Sequence, residues 1–219
     1  MQTDPGGRGE GKRRGRPARS PRRSVAERIE AGELSTEEAT DAARETVLRS
    51  LTAAPKSRSE LERSLARKGY PEHVVTPLLD RLDDVGLVDD AGYAELIVRT
   101  RHAERGLARR AIAMELRRRG IDDETASDAL EQVDGDDERA AADALARKHV
   151  ARTRGLDTEV RIRRAVASIA RKGHAPGVAF AAVRAALADE GAEDIDNSDI
   201  NSDIDSDIDS DSLEGIGVD

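Results

Sequence analysis

The chain of 219 residues carries 36 Lys and Arg, 45 Asp and Glu and a formal net charge of −9, and aromatic residues make up only 1% of it. It has no cysteine, which excludes disulfides and thiolate metal sites, and no apolar run reaches the roughly 18 residues of a membrane span. An apolar core of Ala, Leu, Val and Ile favours closely packed helices, and we expect a soluble cytoplasmic monomer without cofactor or metal.

The first 23 residues form a basic segment, with eight Lys and Arg against two acidic residues and no periodic apolar residue. This composition predicts a disordered arm. Within it, "RRGRPAR" at 13–19 is similar to an AT-hook, which lies in the minor groove of A·T-rich DNA; an arm that attracts polyanions without specificity is the alternative. Under either interpretation the candidate DNA-binding residues are Arg13, Arg14, Arg16 and Arg19.

Helix-start signals follow the arm. A Ser three residues before a Glu predicts a capping box, in which the hydroxyl and the carboxylate each accept a hydrogen bond from a backbone N–H. The boxes at Ser24 and Ser35 assign a short leading helix and the start of the first repeat to 24–40. A third box at Ser59 predicts the start of a helix that ends before Gly69.

One pattern, an apolar residue, any residue, two basic residues and glycine, occurs three times, as "LARKG" (65–69), "LRRRG" (116–120) and "IARKG" (169–173), at separations of 51 and 53 residues. Glycine after the last helical residue accommodates a positive φ, and basic side chains in the last turn face the negative end of the helix dipole. Each copy therefore predicts the end of a helix.

Superposing the three glycines also aligns the apolar residues around them, which indicates a repeat of three helices in about 50 residues. The aligned sets are Leu61, Ile112 and Ala165; Leu65, Leu116 and Ile169; and Val75, Ala126 and Ala179. In the third copy the first helix has a predicted apolar face of Ala141, Ala144 and Leu145. We therefore predict an all-α fold of three tandem three-helix repeats, 41–88, 89–135 and 136–188, in an elongated curved body.

Local details differ between the repeats. Pro77 falls inside the third helix of the first repeat and should either kink or shorten it. Asp89 or Asp90 can cap the helix that follows. The third repeat has four extra residues between its first helix and its glycine, which predicts a longer loop around Arg154 and Gly155.

Basic residues gather at equivalent places on the second helix of every repeat. Arg110 and Arg117 are seven residues apart, as are Arg164 and Arg171, so each pair shares a helix face. Such a stripe predicts a surface for phosphates or for an acidic protein groove, and a solvated face that complements helix dipoles is the alternative. The predicted basic stripe comprises Arg63, Arg67, Lys68, Arg109, Arg110, Arg117, Arg118, Arg119, Arg161, Arg163, Arg164, Arg171 and Lys172.

Residues 189–219 form an acidic segment with thirteen acidic residues and no basic one. Its Asp- and Ser-rich composition predicts a disordered tail. Without the arm and the tail the net charge is about −2, so the negative charge of the chain belongs to the tail. We hypothesise that the tail lies over the stripe or the arm as a mimic of phosphate.

The sequence predicts no catalytic residue. "GGRGEGK" at 6–12 has the spacing of a phosphate loop but lacks the Ser or Thr after its lysine, and the aspartates between 203 and 214 lack the glycine of a calcium loop. The four histidines have no paired metal-binding spacing. We therefore expect a protein that binds partners and is not an enzyme.

The blocks "SRSELERSLARKGYPEHVVTPLLDRLDDVGLVDDAGYAELIVRTR" (57–101) and "GLARRAIAMELRRRGIDDETASDAL" (106–130) resemble the RecX family of recombination regulators. The most specific pieces are "S-x-x-E-L" at 57–61, "RL-x-x-x-GL-x-DD" at 81–90 and "EL-x-x-x-GID" at 115–122. Tyr93, His174 and Pro77 depart from the pattern of the family.

The resemblance implies a protein that binds the RecA recombinase, lies in the groove of its filament on DNA, and suppresses ATP hydrolysis, strand exchange and coprotease activity. We also expect weak, non-specific binding of single- or double-stranded DNA by the basic residues. Residues 59–88 are also similar to a winged helix-turn-helix transcription regulator, which requires a β-hairpin wing after them. A helical adaptor that acts without RecA is a third possibility.

Overall fold

The computed structural model describes residues 23–191, which form ten α-helices and no β-strand, so the all-α prediction is confirmed. The helices are α1 (Val25–Glu30), α2 (Thr36–Ala53), α3 (Arg58–Arg67), α4 (Glu72–Asp84), α5 (Asp90–Arg105), α6 (Arg109–Arg119), α7 (Asp123–Leu130), α8 (Gly135–Arg152), α9 (Thr158–Ala170) and α10 (Pro176–Asp189). After the short α1 they succeed one another as three groups of three: α2–α4, α5–α7 and α8–α10.

The described helices fall into two compact units. The first unit contains α1, α2, α4 and all of α3 except its first turn. The second unit contains residues 55–60, which include that first turn, and residues 88–191.

Serine caps begin the first three helices. Ser24 and Ser35 form the predicted capping boxes at the starts of α1 and α2. The box predicted at Ser59 is wrong, because α3 begins two residues earlier and is capped by Ser57: Glu60 N–H donates to its hydroxyl (3.1 Å) and its own N–H donates to the Glu60 carboxylate (3.2 Å). Two serines lie two residues apart here, and the buried one caps the helix.

In the first unit, α2 packs against α4. The buried residues of α2 are Ala39, Ala43 and Val47; those of α3 are Leu61 and Leu65; and those of α4 are Val74, Val75, Leu78, Leu79 and Leu82. The helix α4 continues through Pro77 to Asp84, so the proline does not shorten it. Val74 and Val75 before the proline and Leu78 and Leu79 after it are all buried, so the apolar face of α4 is continuous across it.

The second unit contains two separate apolar cores. One joins α5, α6 and α7, and the other joins α8, α9 and α10. The aligned positions Leu116, Ile169, Ala126 and Ala179 are all buried, as the repeat predicted. The predicted face of α8 is only partly right: Leu145 packs against this core, but Ala144 is exposed, and the buried residues of the helix are Ala142, Ala146 and Val150.

The segment after α4 is helical. Asp89 caps α5 by accepting a hydrogen bond from the Gly92 N–H (2.8 Å), and Asp90 accepts one from the Arg58 N–H (2.8 Å) at the start of α3. Since α5 occupies the position of the β-hairpin wing, the winged helix-turn-helix interpretation is wrong. Between residues 23 and 191 no helix is long and apolar enough to cross a membrane.

The predicted arm and tail lie almost entirely outside the described residues, and so do Arg13, Arg14, Arg16 and Arg19. At the boundary, α10 extends through Asp189, and Glu190 forms ion pairs with Arg161 and Arg154. The first residues of the predicted tail therefore belong to the third helix group.

Candidate partner-binding surface

The basic ends of the second helices meet the starts of other helices. At the end of α6, the Ser57 hydroxyl donates a hydrogen bond to the Arg119 carbonyl (2.6 Å). Gly120 follows with φ +82°, and a Cβ on it would lie 2.3 Å from the Cβ and Oγ of Ser59. Glycine is therefore required here twice, for its backbone angle and for the space that its missing side chain leaves.

The same junction occurs at the end of α9. The Ala108 N–H donates to the Lys172 carbonyl (3.0 Å), and a Cβ on Gly173 would lie 2.7 Å from the Cβ of Ala111 in the first turn of α6. In the first unit the equivalent bond joins the Ala26 N–H of α1 to the Gly69 carbonyl (2.9 Å). The repeated glycine thus lets the negative end of one helix dipole contact the positive end of another.

Most of the predicted stripe is exposed. The exposed residues are Arg63, Arg67 and Lys68 in the first unit, and Arg110, Arg117, Arg118, Arg163, Arg164 and Arg171 in the second. Arg110 and Arg117 are exposed while Ile112 and Leu116 between them are buried, as the spacing predicted. Arg117 forms an exposed ion pair with Asp123 (2.7 Å), which is worth little in water.

The four stripe residues that are not exposed are held by partners within the fold. Arg109 donates to the Val133 carbonyl (2.8 Å), and the Lys172 ammonium donates to the Arg105 carbonyl. The prediction that Arg161 lies on an exposed stripe is wrong, because its side chain is buried and donates to the Val150 carbonyl (2.9 Å) and the Glu190 carboxylate (2.6 Å).

Arg119 is the fourth, and it belongs to a half-buried network. Its guanidinium donates to the Glu115 carboxylate (2.8 Å), the Glu60 carboxylate (3.1 Å) and the Tyr93 hydroxyl (2.6 Å), and it lies 5.7 Å from the centre of the Tyr93 ring. Arg101 contacts the same Glu115 carboxylate through two bonds of 2.8 Å. The hydrogen bonds from Arg101 and then Arg119 lower the pKa of Glu115 to about 2, although burial opposes this.

A second group of cations in this unit was not predicted as a set. Arg105 ends α5, Lys148 and Arg152 lie in the last turns of α8, and Arg171 and Lys172 follow α9. We call these five residues the basic cluster. The charges of Lys148, Arg152, Arg171 and Lys172 act on His149, whose Nε2 lies 2.9 Å from the Ser168 Oγ, and the backbone of Arg105 contacts Lys172.

Burial and the neighbouring positive charges of the basic cluster lower the pKa values of His149 and Lys172. Burial lowers the pKa of His149, and the charges of Arg152, Lys172, Arg171 and Lys148 lower it further. Burial also lowers the pKa of Lys172, together with Lys148 and Arg105. Arg171 and Lys172 belong to the predicted stripe, whereas Arg105, Lys148 and Arg152 do not. The sequence signal for the latter is the spacing of four residues between Lys148 and Arg152 near a helix end.

The chain is similar to proteins of one family over most of its length. Residues 43–82 match the model of "RecX, first three-helix domain" and residues 89–130 that of "RecX, second three-helix domain". The protein named Regulatory protein RecX from Thermobifida fusca is 45% identical over 162 residues, which cover 74% of this chain and 88% of the relative. The protein of that name from Amycolatopsis mediterranei is 39% identical over 161 residues, 74% of this chain and 92% of the relative.

Two solved structures share the fold. A crystal structure of regulatory protein RecX has a TM-score of 0.62 and 25% identity, and covers 72% of this chain and 78% of its own. The crystal structure of RecX from Lactobacillus salivarius has a TM-score of 0.60 and 23% identity, and covers 68% and 97%. The tandem three-helix groups define an all-α protein of helical repeats, and the relatives that it matches are named as regulatory proteins. The chain belongs to the RecX family of regulatory proteins.

Proposed function

We propose that this protein regulates the RecA recombinase in the cytoplasm by binding along the RecA filament on DNA, and that its main effect is inhibition of ATP hydrolysis, strand exchange and coprotease activity. Membership of the RecX family carries this proposal, since relatives named Regulatory protein RecX are 39–45% identical over about three quarters of the chain. We expect the protein to act as a monomer with weak, non-specific affinity for DNA.

The exposed stripe residues of the second unit support the proposal. Arg110 and Arg164 are exposed on α6 and α9, the second helices of their repeats, and neither forms an ion pair within residues 23–191. A nucleoprotein filament offers both DNA phosphates and acidic protein groups. Exposed arginines can contact either of them through bidentate hydrogen bonds.

Hydrolysis of ATP by the cognate RecA on single-stranded DNA is the direct test, titrated with the full-length protein at fixed salt. Inhibition below an equimolar ratio of the two proteins is the expected result, because one regulator bound in a filament affects several RecA subunits. An unchanged rate over the whole titration, with RecA shown to be active, would refute the proposal.

Charge reversal tests the part played by the basic surface. The variant Arg110→Glu with Arg164→Glu should bind the filament at least about tenfold more weakly at physiological salt, since each lost phosphate or carboxylate contact costs affinity. The matched control is Arg99→Glu with Arg147→Glu, which makes the same charge change on exposed positions of α5 and α8 outside the stripe. Equal loss in both variants would assign the effect to net charge.

A further inference from the structure

The basic cluster concentrates positive charge without compensation in the second unit. None of Arg105, Lys148, Arg152, Arg171 and Lys172 forms an ion pair with a carboxylate in the described part of the chain. Elsewhere in the same unit, the half-buried Arg101 and Arg119 and the buried Arg161 are each matched by a glutamate. Four of these charges act on His149 and the fifth, Arg105, acts on Lys172; like charges so placed repel one another, and an anion bound among them would be stabilised.

The chain leaves the described fold beside this cluster. Glu190, just after α10, accepts hydrogen bonds from Arg161 (2.6 Å) and Arg154 (3.1 Å). The same Arg161 nitrogen donates to the carbonyl of Val150, the residue after His149. The segment that begins at residue 192 therefore starts near the end of α8, where Arg152 lies.

The charge and length of this segment match the cluster. Residues 192–219 contain eleven acidic residues among 28 and no Lys or Arg. An extended chain spans about 3.3–3.6 Å per residue, so 28 residues span up to roughly 90–100 Å, which is long enough to reach every member of the cluster. Attachment to the same polypeptide gives it an effective concentration on the order of millimolar, far above that of most ligands in solution.

We propose that the acidic segment 192–219 binds the basic cluster of its own chain and competes there with the phosphates of nucleic acid. The carboxylates of the segment take the place of backbone phosphates at Lys148, Arg152 and Arg171. The protein is thereby held in a state with reduced affinity for DNA, and a polyanion of higher charge density displaces the segment. This inference does not depend on the regulation of RecA.

Paramagnetic labelling tests the contact directly on the full-length chain. The protein has no cysteine, so Ser206→Cys provides a single attachment point for a spin label in the acidic segment. We expect the amide signals of residues 148–152 and 171–172 to broaden at low salt, and to recover when about 0.5 M salt screens the charges. Broadening confined to other parts of the chain, or none, would overturn the proposal.

A charge cycle tests the competition, with binding of a labelled single-stranded oligonucleotide as the readout. In the full-length chain, changing Asp203, Asp205, Asp207, Asp209 and Asp211 to Asn should tighten binding about fivefold at low salt, since the internal competitor is weakened. The same changes should have no effect in a chain that carries Lys148→Glu and Arg152→Glu, because the segment then has no site.

The control for this cycle keeps the charge and moves the position. Arg147 is exposed on α8 next to Lys148 and points away from His149. In a chain with Arg99→Glu and Arg147→Glu, the five Asn substitutions should still tighten oligonucleotide binding about fivefold. If they tighten binding equally in all three backgrounds, the tail acts only through net charge and the proposal fails. None of these binding measurements contains RecA, so their outcome is independent of the outcome of the RecA titration.

Discussion

Ser57 and Arg119 lie 62 residues apart, and one hydroxyl joins their two helices. The Ser57 Oγ donates to the Arg119 carbonyl at the end of α6 (2.6 Å) and accepts from the Glu60 N–H at the start of α3 (3.1 Å). It therefore satisfies an orphan acceptor of one helix and an orphan donor of another. The residue is fully buried, so water cannot replace either bond.

The loss of this hydroxyl should be costly. Ser57→Ala should lower the free energy of unfolding by about 2–3 kcal/mol, since the Arg119 carbonyl and the first turn of α3 lose the same buried partner together. Urea denaturation followed by circular dichroism measures the change. Ser35→Ala removes a capping box of the same kind at an exposed helix start and should cost only about 1 kcal/mol. Equal losses in the two variants would show that the bond to Arg119 adds nothing.

Gly120→Ala should destabilise the fold more than Gly86→Ala. Both glycines have a positive φ, +82° and +68°, which costs an alanine about 1–2 kcal/mol. Only at Gly120 would the new Cβ collide with Ser59, so its total should reach about 3–4 kcal/mol, whereas Gly86 has open space around it. The comparison of unfolding midpoints in urea separates backbone strain from steric overlap. Similar costs at both positions would contradict the tight junction.

Acid should unfold the protein partly through Glu115. Its pKa falls from 4.5 to about 2 on folding, so the unfolded state binds the proton more tightly. The associated stability of about 3 kcal/mol is fully present above pH 4.5 and is lost as the pH falls towards 2. Glu115→Gln should therefore reduce the dependence of the unfolding free energy on pH across this window.

A surface substitution provides the comparison for Glu115. Glu95 is exposed on α5, and Glu95→Gln should change the unfolding free energy at neutral pH by less than about 0.5 kcal/mol. The prediction fails if Glu115→Gln leaves the unfolding curve between pH 4.5 and 2 parallel to that of the unchanged protein.

At the end of α10, Glu190→Gln should destabilise the protein, whereas Asp189→Asn should not. Glu190→Gln removes the charge that compensates the buried Arg161, and should lower the melting temperature, because an uncompensated buried charge is unfavourable. Asp189→Asn changes an exposed residue beside it and should leave the melting temperature unchanged. Differential scanning calorimetry of both variants decides between a structural Glu190 and one that belongs functionally to the acidic segment.

The repeat was predictable from sequence because its signals are local. The helix-ending glycines and the apolar residues at fixed distances from them, such as Leu116 and Ile169, depend only on helical periodicity and backbone conformation. Where two local signals of equal quality compete, sequence cannot choose between them. Ser57 and Ser59 both precede a glutamate by three residues, and the choice of Ser57 depends on a carbonyl 62 residues away.

The candidate surface was less predictable because it depends on distant contacts. Arg161 has the sequence appearance of a stripe residue, but its burial follows from its contacts with Val150 and Glu190, on two other helices or their ends. The basic cluster likewise unites the ends of α5, α8 and α9. Alignment of the repeats compares positions within each copy, so it does not detect a site built from non-equivalent positions of different copies.

The helix α6 contacts other helix ends at both of its termini, Ala108 and Ala111 on one side and Arg119 and Gly120 on the other. Its eleven residues therefore act as a ruler of about 16 Å between two junctions. One inserted residue would displace one junction by about 1.5 Å and rotate it by about 100°. The length of this helix should therefore be fixed by the two junctions, and insertions should be tolerated in loops such as 153–157.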